Sequence, residues 1–511
     1  MPEVSSNSSK SHSLRTYDIH PDAIQLVSEA MAREYNAIPL EVKGQVLRVA
    51  MANPDDVMAI EALAARTQMR IEPVEATAEA VREAIDSNYR EQGELEKELS
   101  RIQVTSETTE EQALPTGIEA INDAPIVKAL ALIIDEAVKA RASDIHLQPQ
   151  EDGLWVRYRI DGTLQETHRL PLDTAVPLIS RIKILASMNI ADHHRPQDGQ
   201  FSVVPKGRRD SMDIRVGIIP TVHGEMAALR LLDKSKALMT LLQIGFLQES
   251  LAEYQEMLKV PHGIIMVSGP TGSGKTTTLY ATLNTLDSKG RNIITIEDPV
   301  EYRFRNINQI QVNSRAGLTF AAGLRSILRL DPNVILVGEM RDAETANIAI
   351  QSALTGHLVL STIHANDSTG IVARLLDLGI ERFLIASALI GVVAQRMIRR
   401  VCPDCAEMLK APVAEQKAYE KETGEVREKF LYGKGCKSCA GTGYRGRQGI
   451  FEILRINDEL RTMLLEGDSI SQFRVHAIKL GMIPLSKDGM LKVKANITTP
   501  AEILRTAYTL D

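Results

Sequence analysis

The segment that most constrains this chain is residues 269–277, which has the sequence GPTGSGKTT and satisfies the pattern GxxxxGK[ST] in full. It follows the apolar run IIMVS and leads into TTTLYATLNTL, a stretch compatible with a helix. In that context the glycines let successive backbone N–H groups face phosphate oxygens, and the helix N-terminus adds its positive dipole end. We therefore predict a phosphate-binding loop (P-loop), with a glycine-rich turn between strand and helix as the alternative.

Two residues of the loop have expected roles of their own in binding ATP. Lys275 would reach the β- and γ-phosphates, and the Thr276 hydroxyl would ligate Mg²⁺. The predicted nucleotide-contacting residues are Gly269, Pro270, Thr271, Gly272, Ser273, Gly274, Lys275, Thr276 and Thr277.

Polar side chains also lie at the ends of three other apolar segments. IITIEDPVEY carries Glu297, NVILVGEMRD carries Glu339, and His357 and His364 flank the run LVLSTI. A carboxylate at the end of a neighbouring parallel strand can bind Mg²⁺ or polarise the attacking water. We therefore predict that both glutamates lie at a catalytic edge and that both histidines sense phosphate.

Composition and hydropathy restrict the class of protein further. Hydrophobic residues make up 44% of the 511 residues and charged residues 24%, which is typical of globular domains. A net charge of −7 and 4% aromatic residues argue against a protein that wraps nucleic acid. The most apolar run, residues 383–394, is shorter than the roughly 18 to 20 residues of a membrane helix, and the N-terminus lacks an apolar segment of signal-peptide length. We expect a chain that is neither exported nor membrane-spanning.

The four cysteines form two C-x₂-C pairs, Cys402 with Cys405 and Cys436 with Cys439. Two such turns complete a tetrahedral four-thiolate site, so we predict a structural Zn²⁺. Thirty residues separate the pairs and are expected to form a helical excursion. Two redox dithiols are the alternative, although no thioredoxin-like context surrounds them.

Shifts in composition along the chain predict six segments. In the fourth segment, residues 245–400, apolar strands alternate with helical stretches, which is typical of a parallel sheet with crossover helices. A short disordered leader, residues 1–13, is expected at the start of the first segment. The segments are an N-terminal module (1–90), a flexible linker (91–122), a small α+β domain (123–244), the α/β core (245–400), the cysteine-bearing subdomain (401–440) and a helical C-terminal segment (441–511).

Four segments in this order, GPTGSGKTTT, TIEDPVEY, LRLDPNVILVGEMRD and TGHLVLSTIHAND, resemble the secretion-superfamily ATPases. These are the motors of type II secretion and type IV pilus assembly, and the segments correspond to their Walker A, Asp box, Walker B and His box. The resemblance extends from about residue 15 to the end. It implies an α/β protein with a RecA-type P-loop ATPase core, a preceding PAS-like α+β domain and an N-terminal α/β module.

The resemblance also implies partners and a location. The chain would form a homohexamer in the cytoplasm, peripheral to the inner membrane, beneath a platform protein and that protein's cytoplasmic docking partner. The N-terminal module would dock there, with a purely structural module as the alternative. Because the leader before Tyr17 is short, the N-terminal region has room for only one compact module. Cyclic-dinucleotide binding is therefore not expected. Since the retraction motors of the family generally lack the tetracysteine feature, the resemblance favours the assembly or secretion branch for this chain.

Residue roles carried over from the family make Glu297 the general base and Glu339 the Mg²⁺-linked acid, although either carboxylate can position the water. Arg215 and Arg230 of the α+β domain would reach the nucleotide and stabilise phosphate charge, with ordinary solvated strand arginines as the alternative. Candidates for interface contacts are Arg325, Arg329 and Arg341.

Two other classes of function remain open at this point. One is a P-loop motor acting on nucleic acid, as in conjugation or DNA uptake, against which the acidic balance argues. The other is a nucleotide-binding regulator without turnover, against which the set of Lys275, Thr276, Glu297 and Glu339 argues.

Overall fold

The computed structural model describes residues 21–24, 26–82, 84–85, 124–208, 210–233, 239–286 and 289–507. The predicted leader (1–13) and linker (91–122) lie outside these residues. The described part of the chain contains no helix that is both long and apolar enough to cross a membrane. The chain divides into two compact units, the first ending at Leu231 and the second beginning at Leu232.

The N-terminal module of the first unit is a three-stranded sheet with short helices. Strand β2 pairs antiparallel with β1 and parallel with β3. Its own core includes Ile38, Leu47 and Leu63. The elements are α1 (Pro21–Ile24), α2 (Glu29–Glu34), β1 (Ala37–Lys43), β2 (Val46–Met51), α3 (Val57–Thr67) and β3 (Arg70–Glu75).

The α+β domain of the first unit is a six-stranded sheet in the order β6-β5-β4-β9-β8-β7. Alternate residues of its strands pack with α4 and α5 in one core, so the helices cover one face of the sheet. The opposite face carries the polar residues of the alternation. The elements are α4 (Ala124–Lys139), β4 (Asp144–Gln150), β5 (Gly153–Ile160), β6 (Thr163–Leu170), α5 (Ala175–Leu185), β7 (Gln197–Val203), β8 (Met212–Thr221) and β9 (Gly224–Leu232).

The second unit is built on a seven-stranded sheet in the order β12-β11-β13-β14-β10-β15-β18. Its first six strands are parallel, and β18 adds antiparallel to β15. Along β10, alternate residues belong to two different cores, which shows that helices cover both faces. The strands are β10 (Gly263–Ser268), β11 (Ile293–Glu297), β12 (Asn308–Gln311), β13 (Val334–Val337), β14 (Leu358–Ile363), β15 (Leu389–Val401) and β18 (Tyr444–Arg455).

Helices connect most of the parallel strands that follow one another in the chain, as the sequence predicted for an α/β layout, and two further helices precede β10. Such connections leave the carboxyl ends of the strands at one edge, where ligands bind in open α/β sheets. The helices are α6 (Leu241–Ile244), α7 (Gln248–Lys259), α8 (Lys275–Thr285), α9 (Phe320–Ile327), α10 (Ala343–Leu354), α11 (Gly370–Asp377) and α12 (Arg382–Ala388).

The structure of the C-terminal part differs from one prediction. The segment 441–511 was expected to be helical, but its first element is β18, which completes the core sheet. The 30-residue excursion between the cysteine pairs contains the predicted helix, with a strand on each side that pairs with the other. The elements are β16 (Ala406–Lys410), α13 (Val413–Thr423), β17 (Lys429–Gly433), α14 (Asp458–Glu466), α15 (Ile470–Lys479), α16 (Leu485–Lys494) and α17 (Pro500–Ala507).

Candidate nucleotide site and metal centre

The predicted P-loop connects the carboxyl end of β10 to the N-terminus of α8. Gly269 and Gly274 adopt positive φ angles of 146° and 90°, which L-side chains rarely adopt. A Cβ at Gly269 would lie 2.4 Å from the carbonyl oxygen of Gln395, so only glycine fits there. Thr276 is exposed in the first turn of α8. The loop and helix are thus arranged as a phosphate cradle requires, with the Thr276 hydroxyl available to Mg²⁺.

Lys275 lies half-buried at the base of this loop. Its Nζ donates hydrogen bonds to the carbonyl oxygens of Gly269 at 2.8 Å and Pro270 at 3.2 Å. Burial lowers the pKa of the ammonium group, and the nearby Glu339 carboxylate opposes that shift. The side chain therefore lies beside both the loop and the acid predicted to accompany it.

Gln395, which no motif singled out, braces the loop from β15. Its Nε2 donates to the Ser273 carbonyl at 2.7 Å, and its Oε1 accepts from the Thr278 hydroxyl at 2.7 Å. The residue is 2% exposed, so these bonds are shielded from water. Because β15 is the sheet neighbour of β10, this contact depends on strand order and has no local sequence signal.

Glu339 follows β13 at the same edge of the sheet. Its carboxylate accepts a hydrogen bond from Arg341 and lies 3.9 Å from Nε2 of His364. The bond to Glu339 raises the pKa of Arg341. Burial, followed by the positive charge of Lys275, lowers the pKa of His364 and favours its neutral form. A neutral imidazole beside a carboxylate and a lysine can detect phosphate by hydrogen bonding.

Glu297 has a different environment, at the buried end of β11. Its Oε2 accepts from the Tyr280 hydroxyl, and its Oε1 accepts from Thr295 Oγ1 at 2.6 Å and Gln309 Nε2 at 3.2 Å. The residue is 4% exposed. Burial and the Glu297 charge raise the pKa of Tyr280, so its hydroxyl proton stays in place as a donor. Three donors occupy this carboxylate, and the geometry favours Glu339 as the acid that meets Mg²⁺ or water.

The prediction that both histidines sense phosphate is wrong for His357. This residue precedes β14, where its carbonyl oxygen accepts from the amide of Gly263 at the start of β10. Its Nδ1 is 2.9 Å from the Ser352 carbonyl oxygen at the end of α10. Seven residue steps at about 3.3 Å each put it roughly 23 Å from His364. His357 therefore caps a helix at the far edge of the sheet.

Arg215 and Arg230 lie in the first unit, on β8 and β9. Their strand neighbours Ile214, Val216 and Leu229 are buried in the domain core. Because side chains alternate along a strand, both arginines belong to the face opposite the helices.

The four cysteines form one cluster. The Sγ of Cys436 lies 3.8 Å from that of Cys402 and 3.7 Å from that of Cys439, and Cys405 and Cys439 are 3.9 Å apart. These separations are far longer than the ~2.05 Å of a disulfide. They match the roughly 3.8 Å edge of a tetrahedron with Zn–S bonds of ~2.3 Å. The donor set thus fits one zinc ion.

Backbone amides complete the environment of the thiols. The N–H groups of Cys436 and Gly443 donate to the Cys439 sulfur at 3.1 and 3.3 Å. Burial opposes ionisation of Cys439, but these bonds outweigh it and lower the pKa of the thiol. A Cβ at Gly443 would lie 2.3 Å from the Gly433 carbonyl oxygen, so glycine permits the close approach of the two turns.

We expect metal analysis of the purified protein to find about one zinc per chain. Replacing the buried Cys402 by serine should release the metal and loosen the subdomain, because Tyr419 and Phe430 of its small core belong to the stretch between the two cysteine pairs. Limited proteolysis should then cut within residues 406–435, while Ser438→Ala, an exposed control between two ligands, keeps both metal and resistance. A metal-free native protein with four freely reactive thiols would contradict the assignment.

The P-loop follows β10, Glu339 follows β13 and His364 follows β14, so all three lie at one edge of a parallel sheet. Together they define a P-loop ATPase with a RecA-type core. Comparison with protein families gives the particular family. The model of the family described as "Type II/IV secretion system protein" matches residues 119–505, and the chain belongs to that family. The MshEN domain matches residues 11–95.

Individual relatives are similar over nearly the whole chain. The "Type IV pilus assembly ATPase PilB" of Myxococcus xanthus is 42% identical, covering 96% of this chain and 88% of that protein. The "Type II secretion system protein E" of Xanthomonas campestris pv. campestris is 40% identical, covering 94% and 85%. The solved structure of the Legionella pneumophila ATPase DotB has a TM-score of 0.55 at 20% identity, covering 73% of this chain and 93% of that one. This last likeness concerns the fold alone.

Proposed function

We propose that this chain hydrolyses ATP to drive type II protein secretion or the assembly of a type IV pilus or pseudopilus. The observation that carries the proposal is the meeting of Lys275, Glu339 and His364 at the carboxyl edge of the core sheet. Relatives at 42% and 40% identity are named for pilus assembly and type II secretion, which supports this pair of processes. A motor directed at nucleic acid has no comparable support.

In the proposed site the P-loop amides hold the phosphates and Lys275 neutralises the charge that develops on them. The Thr276 hydroxyl and the Glu339 carboxylate would hold Mg²⁺, which polarises the phosphates when bound. Glu339 would also orient the attacking water, because its carboxylate is less fully occupied by donors than that of Glu297. His364 would respond to the γ-phosphate as a neutral hydrogen-bonding group.

The active form would be a homohexamer at the cytoplasmic face of the inner membrane, held there by a platform protein and its docking partner. Arg215 and Arg230, from the first unit of this chain or of a neighbour, would supply additional positive charge to the nucleotide. Closure of such a ring around ATP would couple hydrolysis to rotation of domains.

Turnover should therefore depend on assembly. We expect ATPase activity to rise more than linearly with protein concentration, and Arg230→Ala to lower kcat by about 10- to 100-fold while nucleotide binding is retained. Arg66→Ala is a matched control, since Arg66 is an exposed arginine on α3. Equal activity per chain in dilute monomer and hexamer, together with a silent Arg230→Ala, would overturn the coupling.

A further inference from the structure

Asp144 stands between two arginines on the open face of the six-stranded sheet. In the strand register its Cα partner on β5 is Arg159, and its partner on β9 is Arg230. Residues directly opposite each other on neighbouring strands have side chains on the same face, about 5 Å apart. A single carboxylate is therefore aligned with a guanidinium on each side.

The contacts agree with that register. Asp144 Oδ1 accepts from Arg230 Nε at 3.0 Å. Its Oδ2 accepts from the Ser143 hydroxyl at 2.8 Å and lies 3.7 Å from Arg159 Nε. Both carboxylate oxygens thus have defined partners, which fixes the orientation of the carboxyl group.

Exposure shows which end of Arg230 is held. The Asp144 side chain is 13% exposed, whereas that of Arg230 is 63% exposed. The hydrogen bond uses Nε, the inner nitrogen of the guanidinium, and none of the described side-chain contacts of Arg230 uses its two terminal nitrogens. A planar guanidinium held by one nitrogen can still offer its other nitrogens to a phosphate.

We propose that Asp144 is a positioning residue that fixes the Arg230 guanidinium for a phosphate of the bound nucleotide, with Arg159 balancing the carboxylate from the other side. The inference rests on the proposed function of Arg230 in turnover. An arginine on a flexible stem loses rotamer entropy when it binds, and a carboxylate that holds it in advance removes part of that cost. Because the Arg230 end of the ion pair is largely exposed, the pair should contribute little to stability, so the main effect of Asp144 should be on rate.

A double-mutant cycle in the full-length chain, assayed at concentrations that form the active assembly, tests this inference. Asp144→Asn keeps the shape of the side chain and removes its charge. We expect it to lower kcat by about tenfold, with the KM for ATP and the thermal midpoint unchanged. In the Arg230→Ala background the same change should have no further effect, because its target is gone. Asp152→Asn, an exposed acid of the same domain, is the matched control and should keep the wild-type kcat.

The outcomes separate this inference from the function on which it rests. If Arg230→Ala alone has wild-type kcat, the proposed role of Arg230 fails. If Arg230→Ala is impaired and Asp144→Asn lowers kcat by the same factor in both backgrounds, Asp144 does not act through Arg230. A wild-type or raised kcat in Asp144→Asn also overturns the positioning role. Should Asp144→Asn melt early, Asp144→Ala in the same cycle provides the coupling factor.

Discussion

Replacing Lys275 by alanine should lower ATP turnover by more than about 10³-fold, because the transferred phosphate loses the cation that stabilises its charge. The structure gives this change a second effect, since the Nζ also donates to the carbonyl oxygens of Gly269 and Pro270. Phosphate release by the assembled protein measures turnover, and calorimetric titration with ATP measures binding. We expect binding to weaken as well.

Lys259→Ala is the control for this experiment, because Lys259 is an exposed lysine on α7 whose ion pair is with Glu256. It should retain wild-type turnover and binding. A Lys275→Ala protein that turns over ATP within about twofold of wild type would show that the P-loop is not the hydrolytic site.

Glu339→Gln should leave a protein that binds ATP and hydrolyses it about 10³-fold more slowly, since the amide retains an oxygen for Arg341 but has no charge for Mg²⁺ or water. The isosteric change at Glu297 should act differently. Its amide would face the hydroxyl donors of Tyr280 and Thr295 in a buried position, at a cost of about 1–3 kcal/mol in folding free energy.

The two variants form a matched pair, and each requires two measurements. Turnover should fall far more in Glu339→Gln, and the thermal midpoint should fall more in Glu297→Gln. The assignment of roles would be reversed if Glu297→Gln stopped turnover at an unchanged midpoint while Glu339→Gln remained active.

The two glutamates cannot be distinguished by their sequence pattern. Both follow an apolar strand and carry the same chemical group, so the pattern treats them alike. The difference arises because Tyr280, 17 residues away, and Gln309, 12 residues away, turn towards Glu297. No equivalent set of donors surrounds Glu339 among the described contacts; its partners are Arg341 and His364.

His357 and His364 differ in the same way. They flank one strand in the sequence, yet a strand is extended, so its two ends lie at opposite edges of the sheet. Parallel pairing of β14 with β10 then puts His364 at the P-loop edge and His357 at the other. The direction of the strand was implicit in the sequence, but the predicted role for His357 ignored it.

The sequence by itself determined the features whose chemistry depends on a few consecutive residues. The P-loop of residues 269–277 and the two C-x₂-C turns need only local spacing, because neighbouring backbone groups and thiols supply the contacts. Only the tertiary structure decided that Gln395 braces Ser273 across 122 residues, that β18 completes the core sheet, and that Asp144 holds Arg230. These contacts depend on which strands become neighbours, and strand order is set by the burial of whole faces rather than by any local pattern.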